Sequence, residues 1–89
     1  MIRRRVTIVN NLGLHARAAA KFVQLASAYR SDISLVDNDH KVNGKSIMGL
    51  MMLAAAQGTT LELRVSGDDE REAVAALIKL IDSGFGEDE

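Results

Sequence analysis

Gly13-Leu14-His15-Ala16-Arg17-Ala18-Ala19-Ala20-Lys21 is the stretch on which the reading of the chain turns. A strand-like run precedes it, Gly13 supplies a turn, and an alanine-rich helix is expected from Ala16, with His15 in its first turn. The first backbone N–H groups of a helix have no internal partners and carry partial positive charge. An anion on His15 would therefore lie in a ready site. The same positive end favours the neutral imidazole, the form with a lone pair for nucleophilic attack. Arg17 can offer a guanidinium to phosphate oxygens. No carboxylate or second histidine stands nearby in sequence as a general base, but phosphoryl transfer depends mainly on positioning and charge stabilisation. From these residues alone, a histidine that merely caps the helix accounts for the pattern equally well.

The 89 residues are read as one domain, 1–89. A chain of this size buries roughly 60% of its unfolded surface, enough for one modest core and no deep catalytic pocket. With 11 basic and 12 acidic residues and a net charge of −1, no electrostatic case exists for nucleic acid or an anionic membrane. One tyrosine and two phenylalanines leave few platforms for stacked bases. The absence of cysteine removes disulfides and thiolate metal sites, and a cytoplasmic protein fits best. Met1-Ile2-Arg3-Arg4-Arg5 begins like a signal peptide, yet Thr7, Asn10 and Asn11 break the apolar segment that should follow. No transmembrane span, linker or internal repeat is expected.

Outward from the opening stretch, β-branched residues predict a strand over Arg4–Val9, with Val6 and Ile8 on one face. A helix is expected over Ala16–Ala28, with Ala19, Phe22, Val23 and Ala26 as its apolar stripe. Ile33–Val36 and His40–Asn43 flank the turn cluster Asp37-Asn38-Asp39 and predict a hairpin. Ser46 is a good N-cap for a short apolar helix, Ile47–Ala54. In that helix Leu50, Leu53 and Ala54 are expected to face the core, while Ile47, Met48 and Met51 point partly outward, either to fill irregular core space or to form an adaptable docking surface. Thr60–Ser66 alternates cleanly, with Leu61, Leu63 and Val65 inward. A last helix over Glu70–Ile81 buries Val74, Leu77, Ile78 and Ile81, and Asp69 and Glu72 have capping-box spacing. Ser83-Gly84 ends it before a short acidic tail. The order β-α-β-β-α-β-α predicts an α+β two-layer open-faced sandwich, a four-stranded antiparallel sheet covered on one face by three helices.

Gly13-Leu14-His15-Ala16-Arg17 and Gly44-Lys45-Ser46-Ile47-Met48-Gly49-Leu50-Met51 together resemble the signature segments of the histidine-containing phosphocarrier HPr family. The resemblance spans essentially the whole chain and includes its element order. Leu80-Ile81-Asp82-Ser83-Gly84-Phe85-Gly86-Glu87-Asp88-Glu89 looks most similar to the nitrogen-related branch, NPr. The resemblance implies that His15, through Nδ1, accepts a phosphoryl group from an enzyme I type donor using phosphoenolpyruvate and passes it to an enzyme IIA type acceptor. It implies that Arg17 steadies phosphate oxygens and that the Ala16 and Arg17 backbone supplies donors. Ser46 would be the site of a regulatory kinase/phosphorylase in some lineages, where added charge interferes with docking. Ala20, Ile47, Met48 and Met51 would contact partners. The resemblance further implies a monomer that needs neither cofactor nor metal, and a transfer intermediate more than a stand-alone enzyme. Ala18 stands where the family usually carries proline, which loosens the preorganisation of the helix start without removing it.

Two other functions compete. A regulatory binding module of the same fold would act through Ile47, Met48 and Met51 independently of His15. A small enzyme with His15 as catalyst lacks an accompanying base, metal cluster or nucleotide loop. His40 reads as an exposed strand end, Arg3-Arg4-Arg5 as a solvated strand entry, and Lys21 as a surface charge one turn from Arg17 that is available to an acidic partner.

Overall fold

Four strands form, β1 (Ile2–Thr7), β2 (Asp32–Asp37), β3 (His40–Asn43) and β4 (Thr60–Ser66), and in β4 buried Leu61, Leu63 and Val65 alternate with outward residues along the whole strand. The computed structural model describes residues 1–86, so the acidic tail expected at 87–89 lies outside the described residues. All strand pairs are antiparallel, in the order β1-β4-β2-β3. Neighbouring strands are therefore not always consecutive in sequence, and the two gaps are bridged by helices α1 (Ala16–Ala26) and α2 (Ile47–Met52). A third helix, α3 (Glu70–Asp82), packs on β1 and β4, α2 lies by β3, and α1 touches both other helices. The two-layer α+β architecture expected from the sequence is the one formed.

The core lies between sheet and helices. Ile8, Leu35, Leu61, Leu63 and Val65 from the sheet side meet Phe22, Ala26, Leu50, Leu77 and Ile81, all fully or almost fully buried. Small residues on α1, with Ala18, Ala19 and Ala26 inaccessible, let that helix approach closely. Val23 and Ile78, read as core positions, are only half-buried.

Several boundaries differ from expectation, each for a local reason. The first strand begins at Ile2 because residues 2–5 pair with 62–65 of β4 while Arg3, Arg4 and Arg5 project into solvent. It ends at Thr7, and Ile8 is held instead by the Gly58 and Thr59 backbone at 2.7 and 2.9 Å. Helix α1 stops at Ala26, since Ala28 and Tyr29 donate to the carbonyls three residues back and tighten the last turn. Helix α2 stops at Met52, and Ala54, at φ 49°, turns out of the helix and is exposed, so Ala55 replaces it in the core.

The capping box proposed for Asp69 and Glu72 does not form. Asp69 is the N-cap by position, but its carboxylate accepts hydrogen bonds from the backbone N–H groups of Arg30 (2.8 Å) and Ser31 (3.0 Å) and from the Ser31 hydroxyl (2.5 Å). After α3 the chain makes a 3₁₀ turn, Gly84–Gly86, that buries Phe85. Lys21 donates to the Phe85 carbonyl at 2.8 Å, so its ammonium is engaged in anchoring that turn and is not an open surface charge.

Candidate functional site

The loop before α1 is bound tightly to the segment after α2. Gly13 has φ 67°, a conformation that side chains rarely adopt, and a Cβ there would collide with the Ala55 carbonyl oxygen. Leu14 N–H donates to that same carbonyl at 2.8 Å. The Asn10 side-chain amide donates to the Gly13 carbonyl at 2.8 Å, and Gln57 bridges from its own amide to the Val9 carbonyl and the Asn11 side chain, each at 3.0 Å. With Leu14 buried, the chain enters α1 along one fixed path. These clamps determine where His15 stands.

His15 occupies the N-cap position, half-buried and in extended conformation, and its ring makes no capping hydrogen bond. The plain cap therefore does not account for this histidine. The first internal helical bond runs from Ala19 N–H to the His15 carbonyl at 2.8 Å. The N–H groups of Ala16, Arg17 and Ala18 precede it and have no partner within the helix ladder. No acidic side chain lies in the first turn to offset their partial charge. Ala16 and Arg17 are exposed beside His15, which gives an anion cradle open to a second macromolecule.

The neighbouring helix carries the second predicted site. Ser46 is half-buried and caps α2 as expected, its hydroxyl oxygen accepting from Gly49 N–H at 3.1 Å. Leu50 is the one fully buried residue of α2. Ile47 and Met51 are 42% and 45% exposed and Met48 is 77% exposed, so these side chains are not filling core space. Ala20 is exposed on α1. Met52 continues this surface on α2, and Leu12 in the loop before α1 is exposed as well; the sequence reading passed over both. Met52 was findable as the residue four positions beyond Met48 on the same helix face. Leu12 lies in a loop without periodicity and carried no such signal.

The remaining candidates stay outside this arrangement. His40 is exposed at the start of β3, and no group of histidine and carboxylate side chains suited to a metal occurs among the described residues. Arg3 and Arg5 flank an Arg64–Glu62 ion pair on the outer face of the sheet, and the Arg64 hydrogen bond holds the Glu62 carboxyl below its ordinary value.

A family model described as "PTS HPr component phosphorylation site" matches residues 2–83. The phosphocarrier protein HPr of Neisseria meningitidis serogroup B is 56% identical over 89 residues, covering all of both chains. The crystal structure of HPr-C-His from Thermoanaerobacter tengcongensis superposes with a TM-score of 0.95 at 49% identity, covering 100% of each chain. An HPr dimer from the same organism gives a TM-score of 0.78 at 50% identity, with 98% of this chain and 100% of that one covered.

Proposed function

The chain belongs to the HPr family of phosphotransferase-system phosphocarriers, and from that premise we propose that His15 is its phosphoryl carrier. An enzyme I type donor charges the ring and an enzyme IIA type acceptor discharges it. The observation that carries this reading is His15 at the α1 N-cap, with its ring not used as a cap and no acidic residue in the first turn. The ring lone pair attacks the incoming phosphorus, and the leaving group departs with the donor. As the phosphoryl oxygens arrive at the helix end, the Ala16 and Arg17 N–H groups and the Arg17 guanidinium face developing charge. Reversal of the same steps onto an acceptor releases the group. Partners supply the remainder of the transition state, which suits a shallow exposed site and makes this single domain, 1–89, a transfer intermediate more than an independent enzyme.

The docking surface in this reading comprises Ala20, Ile47, Met48 and Met51. Ser46 is its regulatory position: a phosphoryl group on the hydroxyl that caps α2 adds charge beside an apolar contact surface, which repels an acidic partner and costs desolvation. The nitrogen-related branch, NPr, is the finer assignment, supported by the closing segment 80–89. We take the working unit to be a cytoplasmic monomer. No described helix is long and apolar enough to cross a membrane, and light scattering of the purified protein checks the oligomeric state.

Phosphoenolpyruvate and an enzyme I type donor are expected to place an acid-labile, base-stable phosphate on the protein, and His15→Ala is expected to accept none. Label on His15→Ala would refute the carrier assignment. The exposed Ile47, Met48 and Met51 also support a second reading, a regulatory binding module indifferent to His15. Partner regulation that survives His15→Ala but is lost in Met48→Asp would favour it.

A further inference from the structure

The chain has no cysteine and 4 methionines, so every sulfur is a thioether: Met1, Met48, Met51 and Met52. Three of them lie on the six-residue helix α2. Met48 and Met52 are 77% and 80% exposed, Met51 is 45% exposed, and Met1 at the chain start is 66% exposed. Residues 48 and 52 are four apart and 51 lies between them, so the three sulfurs share one surface of the helix. That surface also carries the exposed Ile47 of the same helix. The softest oxidisable groups of the protein are thus concentrated where partners are read to dock.

We propose that Met48 and Met52 are oxidation sites through which a peroxide reversibly weakens partner docking. The inference rests on the docking role given to this surface above, and adds its regulation. In the reaction the thioether sulfur attacks one peroxide oxygen, the O–O bond breaks, and the second oxygen leaves as water or an alcohol. Sulfur is oxidised by two electrons and the peroxide is reduced by two. The product sulfoxide is polar and a strong hydrogen-bond acceptor, where the thioether was apolar and deformable. Burying it against an apolar partner leaves that acceptor unsatisfied. The fold itself is spared, because Leu50 is the only α2 side chain in the buried core. Met51, more shielded, reacts more slowly.

The full-length protein is treated with hydrogen peroxide, and the oxidised positions are located by peptide mass analysis. Phosphoryl acceptance from an enzyme I type donor is then measured as kcat/KM. Sulfoxide is expected at Met48 and Met52 ahead of Met51, with acceptance falling about tenfold, the scale expected when a polar group is buried unpaired. An unchanged thermal unfolding curve locates the loss at docking, and methionine sulfoxide reductases of both epimer classes are expected to restore acceptance. A Met48→Leu/Met51→Leu/Met52→Leu variant, which retains Met1, is compared with itself before and after peroxide, and its ratio is expected to stay near one. Peroxide reacting only at Met1, a drop that persists in that variant, or a loss the reductases do not reverse would each overturn the proposal. Undiminished acceptance by the oxidised protein, with Met48→Glu impaired, overturns the redox inference alone. Undiminished acceptance by both overturns the docking reading beneath it.

Discussion

At the scale of single residues, Ala18 holds a place in the first turn of α1 that suits proline. It is the third residue of α1, fully buried, and its N–H lies ahead of the first internal helical bond. A proline there loses no ladder hydrogen bond and finds its preferred φ. Ala18→Pro is expected to stabilise the fold by about 0.4–1 kcal/mol, chiefly by restricting the unfolded chain. Urea denaturation with an unchanged m-value checks this, and a loss of stability would mean the packed site has no room for the ring. The turn at Gly13 and the helix start at His15 were legible in sequence because both are local signals. The clamps that aim His15 were not: the Ala55 carbonyl and Gln57 lie 40 and 42 positions further along the chain, and nothing local marks them.

Among the elements, α2 is the most dependent on its surroundings. Six residues are too few for a helix to persist alone, so it relies on the Ser46 cap and on Leu50 in the core. Ser46→Ala is expected to cost about 1 kcal/mol in chemical denaturation, the usual worth of a cap. Ser46→Asp retains a capping oxygen while adding a charge, so it is expected to keep near-native stability yet to lower acceptance from the donor. The pair of measurements separates the structural role of this serine from the regulatory one. Ser46 was legible because capping is a rule about neighbours in sequence. Helix ends were less so: Ala28 and Ala54 have high helix propensity, but the chain must leave α1 to reach β2 and leave α2 to offer the Ala55 carbonyl to Leu14. Phe85 was missed for a related reason, since its burial depends on a 3₁₀ turn held by Lys21 from another helix.

Across the whole molecule, Asp69 joins parts that sequence reading kept apart. Its spacing from Glu72 signalled a local cap, yet its carboxylate reaches the Arg30–Ser31 backbone at the entrance to β2. Ser31 is almost wholly buried, and a Cβ at Gly67 would come within 2.6 Å of its hydroxyl oxygen, so the start of α3 and the start of β2 are pressed together here. The Ser31 hydroxyl, and after it the Arg30 N–H, holds the Asp69 carboxyl below its ordinary value near 3.8. The folded state therefore binds the proton less readily than the unfolded chain. The stabilisation is fully present above about pH 4 and is lost as pH falls through the depressed folded-state value. Asp69→Asn keeps the shape but removes the charge and one acceptor, and is expected to lower the melting temperature by several degrees at pH 7. The gap between variant and wild type should close as the pH is taken below that depressed value. A gap of constant size across that range would show that the carboxylate's charge contributes nothing to the junction. Because the junction lies away from the α1 N-terminus, acceptance of phosphate by His15 at 25 °C should be unaffected in Asp69→Asn, which separates a device of the fold from one of the site.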